Sequence, residues 1–303
     1  MQITDPEVLK FIADTEAAYP ADANGATAEE NRRMYDGMCA VFCAPRPEGL
    51  PVRDEDVAGV PVRRYTPKGA EARPFLLYSH GGGFVVGGLD SHDDVCAELA
   101  VATGCEVISV DYRLAPEHLF PAQIDDVTAV WTAESGSGRR GIAIGDSAGG
   151  NLSAGLCFRM RRTGGAMPLA QVLIYPGLGG DMNAPSYSEN AEAPLLRTQD
   201  LKTYAGMLTG GDMEMRRSNP EVSPLVAEDF AGLPPAFIVT ADVDPLRDDG
   251  PAYQKALQAA GIPADWRNEP QLIHGYLRAR HSSERARGSF RAICDWLKAV
   301  KFK

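Results

Sequence analysis

The sequence predicts an α/β fold in which helices cover both faces of a parallel sheet. Two observations carry that prediction. Short apolar runs bounded by Gly, Pro and Asp recur at residues 74–79 (PFLLYS), 106–111 (EVISVD), 141–145 (GIAIG), 171–175 (QVLIY) and 236–240 (AFIVT). Runs of that length without polar alternation suit strands buried on both faces. Helical stretches separate them, at residues 91–103, 121–134, 148–162, 251–260 and 278–300, and such alternation builds parallel sheets. The 303 residues are 44% hydrophobic and 23% charged, which supplies a large core and excludes disordered, collagenous and coiled-coil classes.

The elements follow in order. Asp5-Pro6 is a cap and first-turn pair, and Val8, Phe11, Ile12, Thr15 and Tyr19 recur at a helical period. Thr27 and Glu30 form a capping-box pattern ahead of a second helix, with Met34, Tyr35, Met38, Val41 and Phe42 on one side. Residues 44–49 (APRPEG) break it. Neither helix belongs to a βα repeat, so residues 1–50 are expected to form a helical cap segment. Residues 57–65 alternate as an exposed strand does. From 176 to about 234 the chain is rich in Gly, Pro, Asn, Ser and Met, with a weak helix at 198–208. A long excursion from a strand end usually covers a site.

A net charge of −11 disfavours nucleic acid and anionic membrane surfaces as partners. No apolar run reaches the length of a membrane span. The opening residues, MQITDPE, lack the basic and apolar regions of a secretory leader. The six cysteines, at 39, 43, 96, 105, 157 and 294, include no C-x-x-C pair, and reduced thiols in a cytoplasmic protein are expected.

The sharpest motif is Gly145-Asp146-Ser147-Ala148-Gly149, a G-x-S-x-G sequence where a buried strand meets a helix. A serine on so tight a turn projects its hydroxyl clear of the backbone, and the free N–H groups of the following helix face any developing negative charge. Ser147 is therefore the candidate nucleophile. Residues 80–84 (HGGGF) follow the strand PFLLYS directly. Consecutive glycines let amides approach a ligand, and two of them with Ala148 could form an oxyanion hole. A phosphate loop is excluded by the absence of G-x-x-x-x-G-K-[ST] and of G-x-G-x-x-G with its downstream acid.

A serine nucleophile needs a base, and there are five histidines. His80 is expected to brace the glycine loop. His92 and His118 fall near helix or loop ends ahead of the serine, where solvated or capping roles are common. His281 falls inside the last helical stretch, as a surface residue. His274, in a loop-like passage after a strand, remains as the base. The acid must lie between Ser147 and His274 and after a strand. Asp244, fixed in extended conformation by Pro245, is favoured over Asp242, which can simply end the strand, but chain order alone does not separate them. Asp248 can cap the next helix. Neither His92-Asp93-Asp94 nor Glu117-His118 supplies a complete metal shell; they are expected to be solvated loops, and the protein is expected to need no metal or cofactor.

Together these motifs, HGGGF at 80–84, DYRLAPE at 111–117, GDSAGGN at 145–151, DPLRD at 244–248 and HGY at 274–276, resemble the hormone-sensitive-lipase-like (family IV) esterases of the α/β-hydrolase superfamily. HGY stands where that family more often has HGF. The resemblance implies an α/β-hydrolase fold with a mostly parallel eight-stranded sheet and a helical cap. The expected division is a cap segment at 1–50 and a catalytic domain at 51–303, with a cap insertion at about 177–220. It also implies Ser147, Asp244 and His274 as triad, Gly82, Gly83 and Ala148 as oxyanion donors, and short- to medium-chain carboxylic esters as substrates. An amidase or deacetylase on the same triad is the alternative, and a ligand-binding relative, expected to have lost a triad residue, is a third reading. The expected partner is a small-molecule ester, with a homodimer possible.

Overall fold

The computed structural model describes residues 3–19, 27–136 and 138–300. The expected domains, 1–50 and 51–303, extend at residues 1–2, 20–26, 137 and 301–303 outside the described residues.

Two helices come first, α1 (Pro6–Ala18) and α2 (Ala28–Phe42). Each has a side-chain start signal. The Asp5 carboxylate accepts the N–H groups of Glu7 and Val8, and Thr27 and Glu30 cap one another's backbone. Strands β1 (Val52–Val57), β2 (Val60–Tyr65) and β3 (Phe75–Ser79) follow. Then come α3 (Asp93–Thr103), β4 (Val107–Val110), α4 (Ala122–Gly136), β5 (Gly141–Asp146) and α5 (Ala148–Thr163). Strand β6 (Gln171–Ile174) leads into an excursion bearing α6 (Pro185–Glu189), α7 (Thr198–Thr209) and α8 (Met213–Ser218). Strand β7 (Ala236–Val243), α9 (Asp249–Ala259), β8 (Ala264–Ile273) and α10 (Glu284–Ala299) complete the chain.

The eight strands form one sheet in the order β1-β2-β4-β3-β5-β6-β7-β8. Strand β2 runs antiparallel to both its neighbours, and the other pairs are parallel. The unbroken apolar runs follow from burial on both faces. Leu76, Tyr78, Ile142, Ile144, Val172 and Ile174 pack on one side with Leu99, Ile293 and Leu297 of α3 and α10. Their neighbours Phe75, Leu77 and Ala143 pack on the other with Val127, Trp131, Leu152 and Leu156 of α4 and α5. Each fully buried Leu or Ile contributes about 1.5–3 kcal/mol. Helix α1 is tied to this core through Val8, Phe11 and Ile12.

Residues 57–65 depart from the expectation of one exposed strand. Ala58 and Gly59 both have positive φ, 55° and 84°, which makes a two-residue hairpin turn between β1 and β2. Strand β2 is half buried because β4 pairs with its far edge. Its Arg64 is buried between Glu55, Glu106 and Glu134. Residues 278–300 are not one helix either. A 3₁₀ turn, Tyr276–His281, precedes α10, and the Ser283 hydroxyl caps α10 by accepting the Ala286 N–H. His281 therefore lies outside α10, with Nε2 2.7 Å from Glu98 Oε1.

Register then sets the site. Ser79 of β3 faces Gly145 of β5, so the HGGGF loop and the serine turn leave the sheet side by side. Val243 of β7 faces Ile273 of β8, which brings Asp244 beside His274.

Candidate active site

Ser147 occupies the turn between β5 and α5 with φ 53° and ψ −117°, a strained conformation for a residue with a β-carbon. Its N–H is held by the Ile174 carbonyl at 2.8 Å. The turn sits so close beneath β3 that a Cβ on Gly149 would lie 1.8 Å from the Ser79 carbonyl oxygen. Glycine is required there by space.

His274 follows β8 directly. Its Nε2 lies 2.8 Å from Ser147 Oγ, and its Nδ1 lies 2.7 Å from Asp244 Oδ2. Asp244 is fully buried, and its Oδ1 accepts the Leu246 N–H at 2.8 Å. The alternatives left open by chain order are separated here. The Asp242 carboxylate accepts from Asn268 Nδ2 at 3.1 Å and from the Gln271 N–H at 3.4 Å. Asp248 precedes α9, but its side chain makes no capping bond. It accepts instead from the Ser186 N–H and Arg247 Nε, each at 2.9 Å.

In the glycine loop, Gly82 has φ 122°, and a Cβ there would come 2.1 Å from the Val86 carbonyl oxygen. The N–H groups of Val85 and Val86 both return to the Gly82 carbonyl at 3.0 Å. Among the described residues, the amides of Gly82, Gly83 and Ala148 donate to no protein acceptor, and all three residues line the cavity that holds Ser147 and His274.

His80 is fully buried behind this loop. Its Nδ1 is 2.7 Å from the Gly81 carbonyl, its ring stacks on Tyr112 at 4.2 Å, and the Tyr112 hydroxyl donates to the His80 carbonyl at 2.7 Å. Burial, with His92 nearby, pushes the imidazole down to about 3.

One expectation needs correction. His92, Asp93 and Asp94 are buried rather than solvated. Asp93 is held by Arg46, Arg63 and the Tyr65 hydroxyl, and Asp94 by the Ala44 N–H and Arg280. Those partners come from distant parts of the chain, and they supply the charge that makes burial tolerable. Glu117 is solvated but paired with Arg32. Among the described residues Asp94, Glu98 and His281 form the one metal-like group, and Arg280 Nη2 already lies 2.5 Å from Asp94 and 2.8 Å from Glu98.

Asp146 carries a role that the motif reading leaves out. Its Oδ1 accepts the Gly81 N–H at 3.0 Å and the Tyr78 hydroxyl at 2.8 Å, and its Oδ2 lies 3.3 Å from the Tyr175 hydroxyl. His92 Nε2 is 3.3 Å from Oδ1. Burial pushes this carboxyl up, but His92 and the hydrogen bonds outweigh it and hold it well below the ordinary range. The signal for it was its place inside the G-x-S-x-G turn.

Above Ser147 lies a cavity of about 710 Å³, lined also by Thr15 of α1, Tyr35 and Met38 of α2, and Leu196, Tyr204 and Leu208 from the excursion. A protonatable imidazole between a hydroxyl and a buried carboxylate, facing three free amides, is an arrangement for acyl transfer.

Comparison with known proteins agrees with this chemistry. Residues 76–278 match the model of a family described as alpha/beta hydrolase fold. The chain is 40% identical over 283 residues to the carboxylesterase NlhH of Mycobacterium tuberculosis, covering 90% of this chain and 88% of that one. It is 44% identical over 219 residues to the esterase LipI of the same organism, covering 70% and 68%. The crystal structure of an esterase from the bacterial hormone-sensitive lipase family superposes with a TM-score of 0.88 at 28% identity, covering 98% of this chain and 99% of that one.

Proposed function

The chain belongs to the α/β-hydrolase fold family, among its hormone-sensitive-lipase-like esterases, and from that premise we propose that Ser147, His274 and Asp244 carry its chemistry. It is a carboxylic ester hydrolase acting on small-molecule esters. The observation that carries the residue assignment is the continuous relay from Ser147 Oγ through both nitrogens of His274 to Asp244, at 2.8 Å and 2.7 Å.

In this reading His274 Nε2 takes the hydroxyl proton as Ser147 attacks the ester carbonyl. Asp244, buried and accepting at Nδ1, fixes the tautomer and stabilises the imidazolium. The oxyanion settles among the amides of Gly82, Gly83 and Ala148, whose donors are free to receive it. His274 returns the proton to the departing alcohol, and water then cleaves the acyl-serine by the same route in reverse. His80 supports the loop without touching substrate.

Helices α1 and α2 of the 1–50 segment, with α6, α7 and α8 of the insertion at about 177–220, act as the cap on the 51–303 domain, since both segments line the cavity. Its apolar lining, including Leu196 and Leu208, suits short- to medium-chain acyl groups. A cytoplasmic location fits six free cysteines, five of them buried, and no described helix is long and apolar enough to cross a membrane. The sequence leaves a homodimer open, and light scattering on the purified protein decides it.

The test is a series of 4-nitrophenyl esters of increasing acyl length, each beside its matched 4-nitroanilide. Turnover of the esters that peaks at short or medium chains supports the reading. Faster cleavage of the anilides moves the assignment to an amidase.

A further inference from the structure

Three arginines line the cavity above Ser147: Arg197, Arg216 and Arg278. Arg197 is answered, since its guanidinium holds Asp200 at 2.8 Å. The other acidic residues of the lining are Asp146, which is bound by Tyr78, Gly81 and His92, and Glu16, which is exposed on α1. Among the described residues Arg216 and Arg278 make no direct ion pair, although the buried Asp146 carboxylate favours the Arg278 charge through space.

Arg278 belongs to the Tyr276–His281 turn that follows His274. Its Nη1 donates to the Tyr35 hydroxyl at 3.1 Å, its guanidinium lies 5.4 Å from the centre of the Tyr35 ring, and its Nε is buried with no acceptor. A guanidinium has five N–H donors, and here a neutral phenol answers one of them. Arg216 reaches the same cavity from α8. It is half-buried, and that burial lowers its tendency to carry charge.

A cation drawn out of water without a counter-charge is costly unless a ligand answers it. Both guanidinium groups border the space a substrate must fill. A purely apolar ester fills that space and leaves them without a direct counter-ion; an ester with an added anionic group supplies one. The net charge of −11 gives an anion no long-range attraction, so its recognition must come from contact inside the cavity.

We propose that the cavity selects esters bearing a carboxylate elsewhere in the molecule, anchored by Arg278 with Arg216 as a second cation. This rests on the esterase reading above. The carboxylate takes no part in bond making: water adds across the ester bond, giving an acid and an alcohol, and the carboxylate leaves unchanged with one of them.

The experiment uses two pairs of substrates on the full chain. Mono-4-nitrophenyl adipate against 4-nitrophenyl hexanoate places the charge on the acyl side, and 4-carboxyphenyl butyrate against phenyl butyrate places it on the alcohol side. The readout is the ratio of kcat/KM, charged over neutral, within each enzyme, which cancels losses from altered folding. The wild-type ratio is expected to exceed one in at least one pair. In Arg278→Gln it should fall roughly 10–100-fold, the range for one charge-assisted contact, with a smaller fall in Arg216→Gln and partial recovery in Arg278→Lys. High salt should lower it too. A neutral ester preferred in both pairs, or ratios that Arg278→Gln leaves unmoved, overturns the proposal. Ser147-dependent turnover of the neutral esters would leave the esterase reading standing in that event, whereas no turnover of any ester would remove both.

Discussion

The carboxylate of Asp146 accepts the N–H of Gly81 at 3.0 Å, so the residue preceding the serine holds the first glycine of the HGGGF loop. The two motifs lie far apart in the chain, but parallel pairing of β3 with β5 delivers them together. The bond fixes where the amides of Gly82 and Gly83 sit relative to Ser147 Oγ.

Asp146→Asn should therefore lower kcat more than it raises KM. The amide removes the charge that Gly81, Tyr78 and His92 converge upon, and the loop shifts by a fraction of an ångström. We expect a loss of roughly 10–100-fold in kcat, in line with misplacement of catalytic groups. Steady-state ester hydrolysis checks it, and an unchanged kcat would show that the loop holds its shape without this bond.

Gly82→Ala tests the loop from the other side. A Cβ at φ 122° would press on the Val86 carbonyl at 2.1 Å, so the peptide must rotate and carry its amide away. Loss of one oxyanion donor costs roughly 10²–10³ in kcat. A variant with native thermal stability and full activity would remove Gly82 from the oxyanion site.

His80 predicts a direction for acid stability. Its imidazole is held at about 3, against 6.5 for the free side chain. Below pH 6.5 the unfolded chain binds a proton that the folded one refuses. That contribution is thus complete above pH 6.5 and is lost progressively as pH falls toward 3. At about pH 4.5 the loss amounts to about 3 kcal/mol. Urea titrations of wild type and His80→Asn between about pH 7 and 4.5 should converge as the pH falls; parallel curves would contradict it.

Arg64→Met tests the buried ion cluster. Arg64 is 5% exposed and contacts Glu106 and Glu134, which also bind the more exposed Arg139. Removing the inner cation leaves two acids short of charge, and a loss of about 3 kcal/mol is expected. Denaturant unfolding measures it, and a change under about 0.5 kcal/mol would mean that Arg139 alone suffices.

What the sequence discloses is what lies close together along it. The runs PFLLYS, GIAIG and AFIVT announce central strands because both their faces are buried, and GDSAG and HGGGF announce their turns because glycine is needed there. Strand β8 (ADWRNEPQLI) announces little. It is an edge strand with one mostly exposed half, so no apolar run or clean alternation marks it. Asp93 and Asp94 look solvated because the arginines that pair with them lie 30 or more positions away, and His92 because its partner Asp146 does too. Asp244 and Asp242 cannot be told apart by chain order, because register between β7 and β8 decides which one meets His274. That Arg278 has no direct ion partner among the described residues depends on which side chains reach it, and no local pattern records that.

The central claim is that Ser147 is the nucleophile, and its most direct test is hydrolysis of 4-nitrophenyl butyrate by wild type and Ser147→Ala, with thermal unfolding of both. The account predicts a fall in kcat of roughly 10⁴–10⁶-fold with the melting temperature nearly unchanged, because among the described residues the Ser147 side chain bonds to His274 alone. A well-folded Ser147→Ala protein that keeps turnover within tenfold of wild type would contradict it.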